Sequence, residues 1–320
     1  MNAVTGAFGY TGKYIARHLL RLGEPVITLT GHPDRPNEFA TSVRAFPFRF
    51  DDPNAMAESL AGVRVLYNTY WIRFDRGTKT HEMAVANTRA LIRAAEIAGV
   101  ERMIHISITN PDSASPLPYF RGKALLEEEI RKARFSYAIV RPTVLFSVED
   151  ILINNIAFLL RKLPLFIIPG GGQYRLQPIC VEDLAKIAVE AAHSSHNIVI
   201  DAVGPEIFSF EELVRLLAKA VRSRAIVLHA SPGLALAATR VLGAVFRDVV
   251  LTRDELDGLM ADSLISRSAP TGSTCLSRWL VDNAGILGTR YASELDRHYS
   301  RDSGAHACAG FSQAVTQRPS

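Results

Sequence analysis

Three glycines near the start of the sequence constrain the fold more than any other feature. Gly6, Gly9 and Gly12 stand three residues apart, after a short apolar run and before apolar residues at helical spacing. This order predicts a strand, a tight turn and a helix. Glycine suits such a turn because it permits unusual backbone angles and a close approach of a ligand or a helix. The N–H groups at the helix start favour a pyrophosphate, so the turn predicts a dinucleotide site, the alternative being a glycine-rich loop without a ligand.

The rest of the chain alternates strand and helix patterns, which is typical of a parallel sheet with helices on both faces. We predict an α/β fold, a Rossmann-type doubly wound parallel sheet with a smaller, interleaved C-terminal α/β substrate region. The predicted strands are 25–30, 43–50, 63–67, 102–106, 136–140, 198–201 and 227–228. The predicted helices are 53–60, 80–98, 119–133, 151–163, 181–192, 232–246, 252–264 and 279–297, with one more beginning in a capping-box pattern at Ser209.

These patterns divide the chain into three parts. The dinucleotide-binding domain is predicted at 1–142 plus 181–204, and the substrate-binding region at 143–180 plus 205–300. Residues 301–320 lack periodicity and are expected to be a disordered tail.

Composition and charge narrow the functional classes. Hydrophobic residues make up 48% and charged residues 21% of the 320 positions, which indicates an ordinary globular protein. The net charge of +4 includes no run of Lys and Arg, so we expect no nucleic-acid partner. The three cysteines, Cys180, Cys275 and Cys308, form neither a disulfide framework nor a zinc spacing, so no metal site is predicted.

The sequence also allows a prediction of where in the cell the protein lies. The most apolar stretch, residues 151–169, is interrupted by Arg161, Lys162 and Pro164, so no transmembrane span is predicted. The chain runs into the glycine turn without room for a signal peptide, and we expect a cytoplasmic protein, monomeric or homodimeric. The apolar helix at 232–246 is expected to cover a core or a partner rather than a membrane, and peripheral membrane association stays open.

The residues after the second and third strands bear on the choice of coenzyme. An acid at the tip of the second strand would bind the 2′-hydroxyl of NAD, and none is present there. His32 and Arg35 can instead meet a 2′-phosphate, which favours NADP over NAD, or both can lie on a solvated loop beside Asp34. Asp51 is expected to approach the adenine ring or, with Asp52, to cap the next helix.

Tyr119 and Lys123 form a second candidate site. They stand four residues apart on a predicted helix and therefore share one of its faces. The helix follows the fifth strand and a proline-rich turn, where the carboxyl ends of parallel strands meet a substrate cleft. The alternative is a surface helix whose tyrosine packs and whose lysine is solvated.

Together these residues resemble a known family. The turn Thr5-Gly-x-x-Gly-x-x-Gly12 with Tyr119-x-x-x-Lys123 resembles the short-chain dehydrogenase/reductase superfamily. Three further stretches resemble its extended and atypical branch, namely residues 9–12, 141–143 and 178–183. That branch includes nucleotide-sugar epimerases, NAD-dependent epimerase/dehydratase proteins, NmrA-like proteins and the nucleotide-binding accessory subunit of respiratory complex I.

The resemblance implies a role for each matched residue. Thr109 would polarise the substrate oxygen, Tyr119 would be the general acid/base, and Lys123 would lower the tyrosine pKa and bind the nicotinamide ribose. Only ten positions separate Thr109 from Tyr119, a shorter connection than in typical sugar epimerases. The residues expected to contact the cofactor are Thr5, Gly6, Phe8, Gly9, Tyr10, Thr11, Gly12, His32, Arg35, Asp51 and Lys123.

Two functions follow from this resemblance. The first is an NAD(P)-dependent oxidoreductase or epimerase-like enzyme that transfers hydride to or from a small carbonyl, hydroxyl or nucleotide-sugar substrate. The alternative is a non-catalytic NAD(P)H-binding redox sensor or assembly factor, which the NmrA-like and complex I members suggest.

Overall fold

The computed structural model of the chain describes residues 1–298, so the tail predicted at 301–320 lies outside the described residues. The strands are β1 Asn2–Thr5, β2 Val26–Thr30, β3 Val43–Pro47, β4 Val65–Asn68, β5 Arg102–Ile106, β6 Ser136–Pro142, β7 Leu145–Phe146, β8 Leu165–Pro169, β9 Arg175–Leu176, β10 Ile179–Cys180, β11 Ile198–Ala202, β12 Phe208–Ser209 and β13 Ile226–Ala230. The helices are α1 Tyr10–Arg21, α2 Pro53–Ser59, α3 His81–Ile97, α4 Pro118–Lys132, α5 Leu152–Lys162, α6 Val181–Ala191, α7 Phe210–Ala220, α8 Pro232–Phe246, α9 Arg253–Met260, α10 Leu276–Asn283 and α11 Glu294–His298.

Seven parallel strands form the central sheet, in the order β11-β6-β5-β4-β1-β2-β3. Asn2 at the centre lies opposite Val26 of β2 on one side and Val65 of β4 on the other. The strand order reverses between β1 and β4, and ligands of such sheets bind in the crevice at the carboxyl ends beside that point. The Rossmann-type prediction is confirmed, and β11 returns to the sheet as expected.

Helices cover both faces of the sheet because successive residues of a strand point to opposite sides. On β1, Val4 packs in one core with Ile15 of α1 and Leu184 of α6. Its neighbour Ala3 packs in the opposite core with Leu91 of α3. Both faces of the sheet are therefore buried under helices, and only the ends of the strands stay accessible to a ligand.

A separate hydrophobic core, in addition to the two on the faces of the sheet, lies in the C-terminal region. It contains the apolar faces of α5 and α7 together with β8, which pairs in parallel with β13. The capping box expected at Ser209 is present, since its hydroxyl accepts from the Glu212 N–H and the Glu212 carboxylate accepts from the Ser209 N–H. Because β7 to β10 lie between β6 and α6 in the chain, the two regions are interleaved. The domain bounds given above stay a prediction.

Several elements differ from the predicted ones, among them the two-residue strands β7, β9, β10 and β12, which have no sequence prediction. The strand predicted at 43–50 ends at Pro47, which has no N–H for a sheet ladder. Strand β8 has no sequence prediction, because its apolar residues directly follow an apolar helix. The helix predicted at 252–264 ends at Met260, and Asp262 has a φ of 55°. The region predicted as helical at 279–297 consists of α10 and α11, separated by a turn in which Gly288 has a φ of 68°.

Two observations concern membranes and metals. Among the helices of residues 1–298, none combines the length and the apolar character needed to cross a bilayer. Within the same residues, no three His, Cys, Asp or Glu side chains lie together in a group that could hold a metal ion.

Candidate nucleotide and substrate site

The glycine turn has the geometry that a pyrophosphate needs. Gly6 adopts a φ of 65°, and its carbonyl accepts the Gly9 N–H at 2.8 Å. A Cβ on Gly12 would lie 2.3 Å from the Gly6 carbonyl oxygen, so only glycine fits there. Helix α1 begins at Tyr10 with no side-chain cap and no acidic residue in its first turn. The first-turn N–H groups and the positive helix end therefore suit an anionic ligand.

Thr5 supports this turn from behind. Its side chain is fully buried, and its hydroxyl accepts the N–H groups of Thr69 at 2.8 Å and Tyr70 at 3.0 Å. It does not line the cavity described next. Thr5 therefore fixes the loop after β4 against the glycine turn, and the cofactor contact expected of its side chain is not formed in this geometry.

A cavity of about 1070 Å³ lies at the carboxyl ends of the strands. Pockets for small ligands span roughly 300–1000 Å³, so this one has room for a dinucleotide and a second ligand. The residues predicted to bind the cofactor that do line it are Gly6, Phe8, Gly9, Tyr10, Thr11, Gly12, His32 and Arg35.

Asp51, which was expected to approach the adenine ring, lies outside the cavity. Aromatic residues of the same segment line the cavity instead. Asp51 is exposed, and its neighbour Asp52 caps α2 by accepting the N–H groups of the first helical turn. Phe48 and Phe50 line the cavity instead, with ring centroids 4.6 Å apart, and Tyr70 packs 4.9 Å from Phe50. Sequence reasoning missed these rings, although the spacing of two between Phe48 and Phe50 places both on one side of an extended segment.

The loop after β2 makes one end of the cavity basic. Partial burial and the nearby charges of Arg35 and Lys79 lower the pKa of His32. Burial and the charge of Arg297 lower the pKa of Arg35. Like charges gathered in one place destabilise one another unless an anion binds between them, so this end suits a phosphate.

Lys123 lies beneath the cavity floor. Its side chain is 3% exposed, and its ammonium group donates a hydrogen bond of 2.7 Å to the Ile106 carbonyl. The indole of Trp71 covers it, with Nζ 4.6 Å from the ring centroid. Gly122 leaves room for this indole, since a Cβ there would lie 2.7 Å from it. Trp71 lines the cavity and Lys123 does not.

Tyr119 lines the cavity, and its surroundings raise its pKa. Its ring packs edge-on against Trp71 at 5.7 Å and against His81 at 5.9 Å. Burial, with the charges of Glu255 and Glu294, raises the tyrosine pKa. This direction is opposite to the lowering that the family resemblance implies.

Thr109 does not line the cavity, and its contact with a substrate stays a prediction. It is fully buried, and its hydroxyl donates to the Arg141 carbonyl at 3.0 Å. Its N–H donates to the Pro142 carbonyl, which continues the pairing of β5 with β6. Ile108 lines the cavity in its place, because neighbouring residues of an extended chain face opposite ways.

A buried carboxylate organises the polar groups under the floor. Glu127 is 1% exposed and accepts from Ser107 at 2.7 Å, from Arg131 at 3.0 Å, and from Arg141 through two bonds of 2.9 and 2.6 Å. The charge of Glu127 raises the pKa of Lys123, but burial of the lysine has the larger effect and lowers that pKa. Sequence reasoning missed Glu127, although it lies four residues after Lys123 on the same helix face.

Beyond Tyr119 the cavity wall is mostly apolar. Its polar members include Arg73, which is held by Glu255 at 2.5 Å, and His81, whose ring faces Asp75. The apolar residues on the wall are Trp71, Ile72, Phe74, Met83, Ile108, Leu117, Phe120, Val144, Leu145, Ile151, Leu152, Leu251, Leu259 and Leu264. Such a wall can take a ligand with an apolar body, and the charged side chains in the same lining offer polar partners as well.

The environment of Lys123 predicts a pH dependence of stability. Burial lowers its pKa from 10.5 to about 7, so between these pH values the unfolded chain holds a proton that the folded protein has released. The free energy of unfolding contributed by this group therefore rises with pH across that window and is constant below it. We expect urea denaturation to show wild-type stability rising from pH 7 to 9 relative to a Lys123→Met variant. A constant difference between the two proteins would contradict the assigned environment.

Comparisons with known proteins agree with this geometry. Residues 6–157 match a family model described as NAD(P)H-binding. Subunit 9 of the NADH dehydrogenase [ubiquinone] 1 alpha subcomplex, a mitochondrial protein of Arabidopsis thaliana, is 27% identical over 286 residues, which cover 83% of this chain and 71% of that subunit.

Solved structures share the fold at low identity. A nucleoside-diphosphate-sugar epimerase from Staphylococcus aureus has a TM-score of 0.69 and 15% identity, covering 88% of this chain and 99% of its own. The NADPH-dependent quinone oxidoreductase of Escherichia coli, solved with NADPH, also has a TM-score of 0.69, with 19% identity over 90% of this chain and 99% of its own. Residues 6–157 therefore form an NAD(P)H-binding domain, the chain is similar in sequence to the complex I subunit, and its Rossmann-like fold is that of these solved reductase and epimerase structures.

Proposed function

We propose that this protein holds NAD(P)H as a bound ligand, in a redox-sensing or assembly role, without using Tyr119 and Lys123 for proton transfer. The observation that carries the proposal is the position of Lys123, which is 3% exposed beneath Trp71. To reach a nicotinamide ribose, its ammonium group would have to leave the Ile106 carbonyl and pass the indole.

The other groups of a reductase site support the same conclusion. Thr109 donates its hydroxyl proton to a backbone carbonyl outside the cavity, and the pKa of Tyr119 is raised. General acid/base catalysis is most efficient when the catalytic pKa lies near the working pH. The three groups that would act together are thus separated, whereas the turn that binds the nucleotide is intact.

The chain offers a contact for three parts of the nucleotide. The glycine turn would hold the pyrophosphate, the rings of Phe48 and Phe50 would pack on the adenine, and His32 with Arg35 would meet a 2′-phosphate, which favours NADPH over NADH. A bound reduced nicotinamide would supply hydride. Nothing in the arrangement of Tyr119 and Lys123 supplies the accompanying proton.

Helix α8 supports a role in assembly. Leu234, Val241 and Val245 on this helix are 60%, 65% and 69% exposed. Exposed apolar side chains gathered on one helix mark a surface that binds a partner. The homologous subunit of complex I is a component of a large assembly by its name, and we propose that this chain likewise contacts a protein partner.

Two substitutions test the proposal together. In Tyr119→Phe and Lys123→Met variants we expect the Kd for NADPH to stay within about 2-fold of wild type, because neither the tyrosine hydroxyl nor the ammonium group is placed to bind the nucleotide. Isothermal titration calorimetry measures the Kd, and absorbance at the nicotinamide band measures turnover. A Kd raised about 10-fold or more in the Lys123→Met variant would mean that the lysine reaches the ribose and would contradict the proposal.

A second candidate is favoured by the apolar wall beyond Tyr119. A reductase of quinones or aromatic ketones would need such a wall, and it would require Trp71 to move away from Lys123 when ligands bind. The assay is NADPH oxidation by the wild-type protein with quinones and aryl ketones. Turnover that disappears in the Tyr119→Phe variant would establish the enzyme and displace the non-catalytic proposal.

A further inference from the structure

The end of the described chain is held firmly against the C-terminal region. Tyr291 packs between Phe246 and Phe158, with ring centroids at 4.8 and 5.6 Å. Asp248 caps α11 by accepting the N–H groups of Glu294 at 3.0 Å and Leu295 at 3.1 Å. Residues 288–298, called here the C-terminal strap, are therefore placed by specific contacts.

The strap carries Arg297 to the glycine turn. The guanidinium lies over the ring of Tyr10, 5.3 Å from its centroid, and donates a hydrogen bond of 2.6 Å to the Glu149 carbonyl. The Arg297 carbonyl accepts from the Arg35 side chain at 2.8 Å. Tyr10 is the first residue of α1, so this charge stands beside the helix end that suits a phosphate.

Arg35 and Arg297 place two positive charges in the same cavity wall. Among the described residues, neither guanidinium forms an ion pair with a carboxylate, and each donates to a backbone carbonyl instead. Burial raises the pKa of Asp150 to about 7 and also raises the pKa of Glu294, so these two acids of the lining are poor counterions. The charged carboxylate of Glu149 near Arg297 is already paired with Lys13 at 2.6 Å. An anion bound there would relieve the repulsion between the arginines and gain charge-assisted hydrogen bonds.

We infer that Arg297 is part of the nucleotide site and binds the pyrophosphate beside the glycine turn, so that the strap closes over the bound dinucleotide. The inference rests on nucleotide binding in this cavity, as the proposed function does. It assigns the pyrophosphate to Arg297 and leaves the 2′-phosphate to His32 and Arg35. Binding of the nucleotide and docking of the strap are then thermodynamically coupled, since each stabilises the other.

The test compares an Arg297→Gln variant with an Arg290→Gln control. Arg290 is exposed on the same strap and does not line the cavity. Calorimetry with NADH, NADPH and ADP-ribose should show all three weakened by roughly 10- to 100-fold in Arg297→Gln, because all three contain the pyrophosphate and one charge-assisted bond is lost. The control should match wild type, and Arg297→Lys should recover part of the affinity by restoring the charge.

Hydrogen exchange gives a second readout that does not depend on activity. In wild type, NADPH should slow amide exchange in residues 288–297, and in Arg297→Gln this protection should be lost while that of the glycine turn remains. Unchanged affinity in Arg297→Gln would overturn the inference, and so would a loss confined to NADPH, which would assign the arginine to the 2′-phosphate. If wild type binds none of the three nucleotides, the proposed function itself fails, a distinct result.

Discussion

Replacing Glu127 with alanine is expected to lower the free energy of unfolding by about 3–5 kcal/mol, the range found when one partner of a buried ion pair is removed. The carboxylate is 1% exposed, and it accepts four of the hydrogen bonds that Ser107, Arg131 and Arg141 donate. Without it, the partly buried guanidinium of Arg141 loses its counterion at the end of β6. The pKa of Lys123 should fall further, because Glu127 is the charge that raises it.

Urea denaturation at neutral pH measures the loss. The matched control is Glu128→Ala, the next residue on the same helix, which is exposed and should change stability by less than about 0.5 kcal/mol. A Glu127→Gln variant keeps some hydrogen bonds and should fall between wild type and Glu127→Ala. A loss below about 1 kcal/mol in Glu127→Ala would mean that the buried network contributes little to stability.

A Gly12→Ala substitution is expected to have the largest effect on nucleotide binding. The new Cβ would lie 2.3 Å from the Gly6 oxygen, 2.7 Å from the Gly6 carbonyl carbon and 3.0 Å from the Thr5 oxygen. These are backbone atoms, so either the turn or α1 must shift. Overpacking of this kind costs about 1–3 kcal/mol, and a cost that falls on the bound state weakens affinity by roughly 5- to 150-fold.

The measurements are the Kd for NADPH and the thermal midpoint, because strain that does not weaken binding must appear as lost stability. Gly233→Ala serves as the control, since it lies on α8 and a Cβ there meets nothing within 4 Å. That change should leave binding intact and, by improving helix propensity, should not lower the thermal midpoint. An alanine at position 12 that changes neither quantity would contradict the described turn.

Six glycine-turn residues and both basic residues after β2 line the cavity, and their contact with a cofactor stays a prediction. Such a turn can be predicted from local spacing, because its contacts are between residues close together in the sequence. Gly6 has the positive φ of the turn, and Gly12 packs against the Gly6 carbonyl only six positions later. Thr109 and Asp51 lie three and four residues past the ends of β5 and β3, where spacing does not predict which way a side chain faces.

The pair Tyr119 and Lys123 shows the limit of this reasoning. Spacing predicts that both lie on one face of α4, but it does not predict what covers that face. Trp71, from the loop after β4, separates the lysine from the cavity. The family resemblance implies an activated pair, whereas burial raises the tyrosine pKa and lowers that of the lysine.

By itself, the sequence determined the alternation of strands and helices, the phosphate-binding turn and the class of ligand, because periodicity and glycine spacing act within one or two elements. Only the tertiary structure decided which charges face that ligand. Arg297 meets Arg35 across 262 positions of sequence, and Glu127 binds Ser107 just after β5 and Arg141 of β6. Burial and electrostatic partners depend on such long-range packing, and these two quantities set what Lys123, Tyr119 and Arg297 can do.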